Sequence, residues 1–332
     1  MKKFFLIIVG ILLITQSGAK GFSDKVKEEE IVFEDNFITL KPHLSVCAVI
    51  NKKKFFKFMP SILNSLNSYL LYKNVDYDLS LYDISENLKE ITKNCSDVIV
   101  YTLDKNYINS LKEYNDTNFY IPIFNKEESD TSASNLFFGG IDYKKQIKRL
   151  AQYIDDYTAV AINENTNLSK KLFKYENELN LTLIPYEYPN INYYKLKNRY
   201  IFFNTRTAKT AQVLSKITYK DIKTKLQLAP QINYDPLLIG ITQPNDVRKL
   251  IIANSIINPP LLIEDYNLLI GSDIKYNWLN YASNILLNKI YNLQTGGEDF
   301  YMNDFKTYIF DNQILYKIKL YQILNGAFKE VE

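Results

Sequence analysis

Imidazole and thiolate chemistry have little to draw on in this chain, which holds one histidine, His43, and two cysteines, Cys47 and Cys95. His43 has no neighbouring nucleophile or ligand set, so it reads as a surface or edge residue rather than a base. The two cysteines permit one pairing. Sequence leaves open whether they form that bridge or stay as two buried thiols, because a disulfide needs Cα atoms within about 7 Å. The acidic clusters Glu127-Glu128-Asp130 and Glu298-Asp299 lack the alternating oxygen spacing of a calcium loop and read as solvated loops. A Walker loop, a G-x-S-x-G elbow and a G-x-G-x-x-G fingerprint are absent. No set of acid, base and nucleophile stands out, so neither an enzyme nor a cofactor or metal is expected. The sharpest candidate is Arg206, one of four arginines with Arg149, Arg199 and Arg248. An arginine at a strand end offers a bidentate clamp for a carboxylate, against the plainer reading of a surface residue in a loop. Tyr186, Tyr188, Tyr193 and Tyr194 cluster around Pro185 and Pro189. Aromatics with polar tips suit a cleft or an interface, although with 27 tyrosines the whole chain is aromatic-rich.

These residues must be held by a globular frame. The chain has 332 residues, 46% hydrophobic and 23% charged, which fits one large or two mid-sized domains and excludes disorder, collagen and coiled coil. With 40 basic and 37 acidic side chains the charge is +3, too balanced for a nucleic-acid partner to be expected. Lys2-Lys3, an apolar run from Phe4 to Ile14 and the small or polar residues Thr15 to Ala19 predict a secretory signal peptide over 1–19, cleaved after about Ala19. The run is shorter than the roughly 20 residues that span a bilayer, so a soluble periplasmic protein with no stable membrane insertion is expected after cleavage. Losing Lys2 and Lys3 would take the charge from +3 to +1. Residues 20–41 carry mixed charge and read as a leader.

From Leu44 the chain alternates short apolar runs with helical stretches. Strands are predicted over Leu44–Ile50, Leu79–Asp83, Asp97–Tyr101 and Phe119–Phe124, with helices near residues 55–70, 84–94 and 108–114 between them. After a polar loop from Lys126 to Ser134 the alternation resumes, with strands at Thr158–Ile162, Leu181–Pro185 and Tyr200–Asn204 and helices at 141–154, 168–179 and 208–217. Tyr276–Leu293 predicts an amphipathic helix with Trp278, Leu279, Ala282, Ile285, Leu286 and Ile290 on one stripe, stopped at Thr295-Gly296-Gly297. The segments 306–310 and 315–326, with Asp311-Asn312 as a turn, read as one terminal antiparallel hairpin. The fold class is α/β, in parallel βαβ units.

In such sheets ligands sit beyond the carboxyl ends of strands, and in a two-lobed version between the lobes. That rule selects Asn51, Tyr101, Thr102 and Asn125 in the first half and Asn163, Glu164, Tyr186, Asn204 and Arg206 in the second.

The order of elements resembles the type 1 periplasmic binding fold of amino-acid-binding proteins, receptor ligand-binding domains and penicillin-binding-protein activator lipoproteins. The likeness rests on Leu44–Ile50, on Val98-Ile99-Val100-Tyr101-Thr102-Leu103 opening a helix, on Phe138-Gly139-Gly140 before the mid-chain helix, and on Tyr308-Ile309-Phe310-Asp311-Asn312 followed by Gln322 to Phe328. It implies two doubly wound lobes: residues 42–143 plus part of 272–332 in the first and 144–271 in the second, with the C-terminal helix and hairpin closing them. It implies a non-enzymatic binding protein for a small polar ligand, amino-acid- or peptide-like. The alternative is a ligand-free envelope adaptor that uses the fold for protein contacts, for example in cell-wall synthesis. Dimerisation through the first lobe's helices is common in the resembled family. The chain departs from the likeness in having only 10 glycines and no lipobox cysteine.

Overall fold

A computed structural model describes residues 41–129, 133–257 and 259–331, and Lys41–Glu332 is one compact unit. The signal-peptide and leader expectations, as well as Asp130, lie outside the described residues. Fifteen strands build two sheets. The first five are β1 (His43–Ile50), β2 (Asp76–Asp83), β3 (Asp97–Tyr101), β4 (Asn118–Ile121) and β5 (Leu136–Phe138). The next five are β6 (Thr158–Asn163), β7 (Thr182–Glu187), β8 (Tyr200–Asn204), β9 (Gln227–Ala229) and β10 (Leu250–Asn254). Beyond the long helix Trp278–Thr295 come β11 (Tyr301–Met302), β12 (Thr307–Phe310), β13 (Gln313–Leu315), β14 (Lys319–Leu324) and β15 (Ala327–Glu330). The sheet of the first lobe runs β11-β12-β13-β5-β4-β3-β1-β2 and that of the second β15-β14-β10-β9-β8-β6-β7. Both are mixed: β1 pairs in parallel with β2 and β3, and β6 with β7 and β8, while the C-terminal strands add antiparallel edges.

Strand β1 explains why the apolar runs lack alternation. Val46, Ala48 and Ile50 join the core under the helices Met59–Tyr72 and Trp278–Thr295, whereas Cys47 and Val49 join the core beneath Leu88–Asn94 and Lys105–Leu111. A strand covered on both faces has no wet side to alternate with. Cys47 and Cys95 are joined by a disulfide across a Cα separation of 6.1 Å. The long helix begins at Asn277, whose Oδ1 accepts from the amides of Leu279 and Asn280, and stops at left-handed Gly296. It is buried over far more than the expected stripe. Asn280 Nδ2 donates to Ser61 Oγ (2.8 Å) and Asn284 Nδ2 to Ser65 Oγ (2.7 Å), so its polar side packs on the helix Met59–Tyr72 through hydrogen bonds.

The expected single terminal hairpin is two hairpins on different sheets. Strands β12 and β13 turn at Asp311-Asn312 in the first lobe, and β14 and β15 turn at Asn325-Gly326 in the second. All four turn residues have φ near +50 to +70°, the left-handed backbone that Asn, Asp and Gly adopt most readily. A helix assigned by the sequence boundaries to the second lobe, Leu261–Leu269, packs instead on Met59–Tyr72 of the first. There Asn64 Nδ2 donates to Ile270 O (2.6 Å) and Ser68 Oγ to Tyr266 O (3.1 Å).

The chain thus passes between the lobes after β5, after β10 and after β13. The first and third crossings are tied together, Tyr316 Oη donating to Gly139 O (2.7 Å), and the second is tied to the long helix, Tyr281 Oη donating to Ile257 O (3.2 Å). Gly140 holds the first crossing against the end of β4's loop, its amide donating to Phe124 O (2.8 Å). A Cβ there would fall 2.2 Å from the carbonyl carbon of Phe124 and 2.3 Å from the amide nitrogen of Asn125, both backbone. Gly140→Ala is therefore expected to cost about 3 kcal/mol of unfolding free energy. Urea unfolding followed by circular dichroism checks it, and an unchanged midpoint would contradict the close approach.

Candidate functional site

The space between the lobes is a cleft of about 970 Å³. The first lobe contributes Lys54, Phe55 and Phe58 from the turn after β1, Leu103 after β3, and Ile123, Phe124 and Glu128 after β4. The second contributes Tyr143, then Asn167, Leu168 and Lys171 from the helix Asn167–Asn177, and Gln231, Ile232, Tyr234, Asp235 and Pro236 after β9. Asp273 and Tyr276 to Leu279 lie at the start of the long helix. The walls are therefore mainly aromatic and aliphatic, with a few polar groups, the usual make-up of a ligand pocket.

The polar groups differ in how far they are already engaged. Asp235 accepts from the amide of Leu237 (2.9 Å), and Asp273 from the amides of Lys275 (2.7 Å) and Tyr276 (3.0 Å). Glu128 of the first lobe and Lys171 of the second form an ion pair across the cleft. Gln231 is buried in a relay: its Oε1 accepts from Gln146 Nε2 (2.9 Å) and from the amide of Ser255 (2.9 Å). The amide donor fixes which end of that carboxamide is oxygen. Its Nε2 has no hydrogen-bond partner among the described residues, and neither has the indole Nε1 of Trp278. Both residues line the cleft, but the two donor atoms are themselves shielded from solvent, so each is an unsatisfied N–H buried in the cleft wall.

None of the nine side chains selected by the strand-end rule lines this cleft. The cleft is lined by segments that follow β1, β3, β4 and β9, but the selected residues there are occupied by local structure. Asn51 Oδ1 accepts from the amide of Lys54 (3.2 Å), Thr102 Oγ1 from that of Asp104 (3.0 Å) and Asn125 Oδ1 from that of Glu127 (3.0 Å), each capping the turn that follows its strand. Tyr101 is sealed in the core, where its hydroxyl donates to Ser283 Oγ (2.9 Å) and burial pushes the phenol well above its ordinary pKa. Asn204 Nδ2 donates to Asn163 Oδ1 (2.9 Å) and to Glu176 Oε2 (2.9 Å) inside the second lobe. Tyr186 packs half-buried against that lobe's core.

Arg206, the expected clamp, is committed to its own lobe. Its Nε donates to Glu164 Oε1 (3.2 Å) and its amide to the same oxygen (3.0 Å), while Lys209 Nζ holds Oε2 (2.6 Å). Burial by itself would raise the Glu164 carboxyl, but the Lys209 and Arg206 hydrogen bonds and charges outweigh it and hold the group below the usual carboxylate range. The tyrosines after β7 face lysines of the helix Thr207–Tyr219 and the residue after it, with Lys209, Lys216 and Lys220 over the rings of Tyr188, Tyr193 and Tyr194. Glu176, pushed up to about 8 by burial, belongs to the Asn163–Asn204 network and not to the cleft. Among the described residues no cluster of His, Cys, Asp and Glu could hold a metal ion, and no helix is long and apolar enough to cross a membrane.

No protein-family model matches the chain. No curated protein matches it either. Solved structures do. A branched-chain amino acid ABC transporter protein from Thermus thermophilus with bound valine is similar over 88% of this chain and 96% of its own, at TM-score 0.62 and 12% identity. An ABC transporter substrate-binding protein from Desulfitobacterium hafniense in complex with leucine is similar over 87% of this chain and 100% of its own, at TM-score 0.60 and 10% identity. LpoA from Haemophilus influenzae matches 90% of this chain but 60% of its own length, at TM-score 0.60 and 10% identity. The two mixed sheets, their helices and these neighbours define a two-lobed type 1 periplasmic binding fold.

Proposed function

We propose that this chain is an exported, non-enzymatic binding protein that closes its lobes on a ligand in the interlobe cleft. The observation that carries the reading is the pairing of an apolar cleft lined from both lobes with two donors, Gln231 Nε2 and Trp278 Nε1, that have no acceptor of their own. The ligand class that fits is an amino acid or short peptide whose apolar or aromatic side chains meet the ring-rich walls and whose carbonyl or carboxylate oxygens reach the two buried donors as the walls rearrange on closure. Leucine and valine in two of the neighbouring structures support that class. The carboxylates that line the cleft already accept from amides or pair with Lys171, which argues against acid–base catalysis there. Export is supported by the basic and apolar start of the chain and by the disulfide, a bond typical of oxidising compartments.

The adaptor reading keeps one specific observation in its favour. The helix Leu261–Leu269 exposes Leu261, Leu262, Leu268 and Leu269, and an apolar helix surface of this kind suits protein contact.

Trp278 is the chain's only tryptophan and it lies in the cleft, so its emission reports occupancy directly. Titration with apolar and aromatic amino acids and with di- and tripeptides is expected to shift or quench that emission saturably. An emission unmoved by the whole series, together with a native mass free of small adducts, would sink the cleft reading and favour the adaptor.

A further inference from the structure

From His43 to Val75 the sequence contains no aspartate or glutamate, yet it carries Lys52, Lys53, Lys54, Lys57 and Lys73. Four of those lysines sit in the stretch Lys52-Lys53-Lys54-Phe55-Phe56-Lys57-Phe58, and all four are exposed. Lys53, Lys54 and Lys57 have no ion-pair partner among the described residues. Phe55 anchors the turn in the core, whereas Phe56 is 75% and Phe58 52% exposed. Phe58 lines the cleft and meets Phe55 edge-on, whereas Phe56 stands in water among lysines without ion pairs, a ring that a covering surface would relieve.

The neighbouring surface continues the pattern. Ser272 Oγ donates to Ser61 O (3.0 Å) and Asn64 Nδ2 to Ile270 O (2.6 Å), so the end of the helix Leu261–Leu269 is fastened to the first turns of Met59–Tyr72. That places exposed Leu268 and Leu269 at the end of the helix pair that begins with the lysine–phenylalanine stretch. Glu264 of the same helix is neutralised by Lys275 (3.1 Å).

We propose that this basic-aromatic surface docks on an anionic phospholipid bilayer, with Lys53 and Lys57 at the headgroups, Phe56 at the acyl boundary, and the mouth of the cleft, where Lys54 and Phe58 lie, held beside the membrane. Charge complementarity supplies the attraction: Asp83 lies against Lys52, but Lys53, Lys54 and Lys57 have no ion-pair partner among the described residues and meet a negative surface potential. Exposed Phe56, with Leu268 and Leu269, selects a bilayer over a soluble polyanion, because a lipid interface offers them an apolar phase. One membrane-bound face then lies beside the cleft without occupying it, and this inference does not depend on which ligand the cleft takes.

The test compares full-length wild type with Lys53→Glu/Lys57→Glu in sedimentation with phosphatidylcholine vesicles, with and without phosphatidylglycerol. Lys54 and Phe58 are left intact because they line the cleft. The N-terminal apolar run is common to both chains and drops out of the comparison, made where less than half of the protein is bound. Wild type is expected to prefer the phosphatidylglycerol vesicles and to lose that preference at high salt, and the double variant to bind them about thirtyfold more weakly. Equal partition of the two chains, or no dependence on phosphatidylglycerol, overturns the proposal. Phe56→Ser is expected to weaken the salt-resistant part of binding, and a wild-type isotherm for it overturns the insertion of that ring. The Trp278 response to cleft ligands, measured on the same variants, is expected to be unchanged, which separates failure of this surface from failure of the cleft.

Discussion

Replacing Cys47 and Cys95 together by alanine is expected to destabilise the protein by about 4 kcal/mol, with a matching loss on reduction of the native bridge. The bond spans 48 residues of sequence, and removing it frees a loop of that length in the unfolded chain, from which the entropic cost follows. The bridge also ties β1 to the residue that ends the helix Leu88–Asn94, with both sulfurs inside the core and away from solvent. Urea unfolding of oxidised, reduced and double-alanine protein gives the comparison directly. Coincident midpoints for the three would show that the first lobe does not rely on the covalent link.

The second large effect comes from Glu176. Burial raises its folded-state pKa to about 8, and the Asn204 hydrogen bond offsets this only in part. The folded protein therefore binds the proton more tightly than the unfolded chain, whose carboxyl titrates near 4.3. Stability is greatest below the unfolded pKa, declines as pH rises from there towards about 8, and levels off above. At neutral pH the deficit is on the order of 3 kcal/mol. Glu164 works in the other direction: its lowered folded pKa contributes stability above the unfolded value that is lost as pH falls. The two groups therefore act in opposite directions: Glu164 favours the fold as pH rises above its unfolded value, and Glu176 opposes it as pH climbs towards about 8. Glu176→Gln keeps an oxygen for Asn204 and removes the titration, so it is expected to flatten the alkaline decline and raise the unfolding temperature at neutral pH. Thermal unfolding across pH decides the matter, and a wild-type midpoint that stays level between about pH 5 and pH 8 would contradict the assignment.

Much of the frame was legible because doubly covered strands are long apolar runs. Leu44–Ile50 differs from observed β1 by one residue, and Asp97–Tyr101 and Tyr200–Asn204 coincide with β3 and β8. What escaped was short or ambiguous. Strands β5 and β9 are three residues each, below the length at which periodicity says anything. The run Leu250–Asn254, observed as β10, went unassigned, as did the helix Leu261–Leu269. The C-terminal turns carried good signals in Asp311-Asn312 and Asn325-Gly326, but no local pattern says which sheet a hairpin joins.

The site was less legible than the frame, for a chemical reason. Attention to polar residues after strands picked out Asn51, Thr102 and Asn125, whose oxygens are consumed by the backbone of the next turn. The cleft is walled by Phe55, Phe124, Tyr143, Tyr234 and Trp278, residues that on sequence resemble core. A signal was present in the glutamines Gln146 and Gln231, but their pairing across 85 positions is invisible without coordinates.

The distribution of strands also sets an order of events in the making of the protein. Phe138 on the rim of the first sheet has Gln313 as its partner, and Asn254 in the second has Lys319. Each lobe therefore keeps one more open edge until residues 313 to 319 have been synthesised, well over a hundred positions after its first strand. A nascent chain stalled before residue 313 presents bare backbone donors and acceptors on both sheets, the surface on which sticky intermediates form. Completion falls to the final two hairpins, which finish both halves almost at once, so losing the tail penalises two lobes whose sequences began well over a hundred residues earlier.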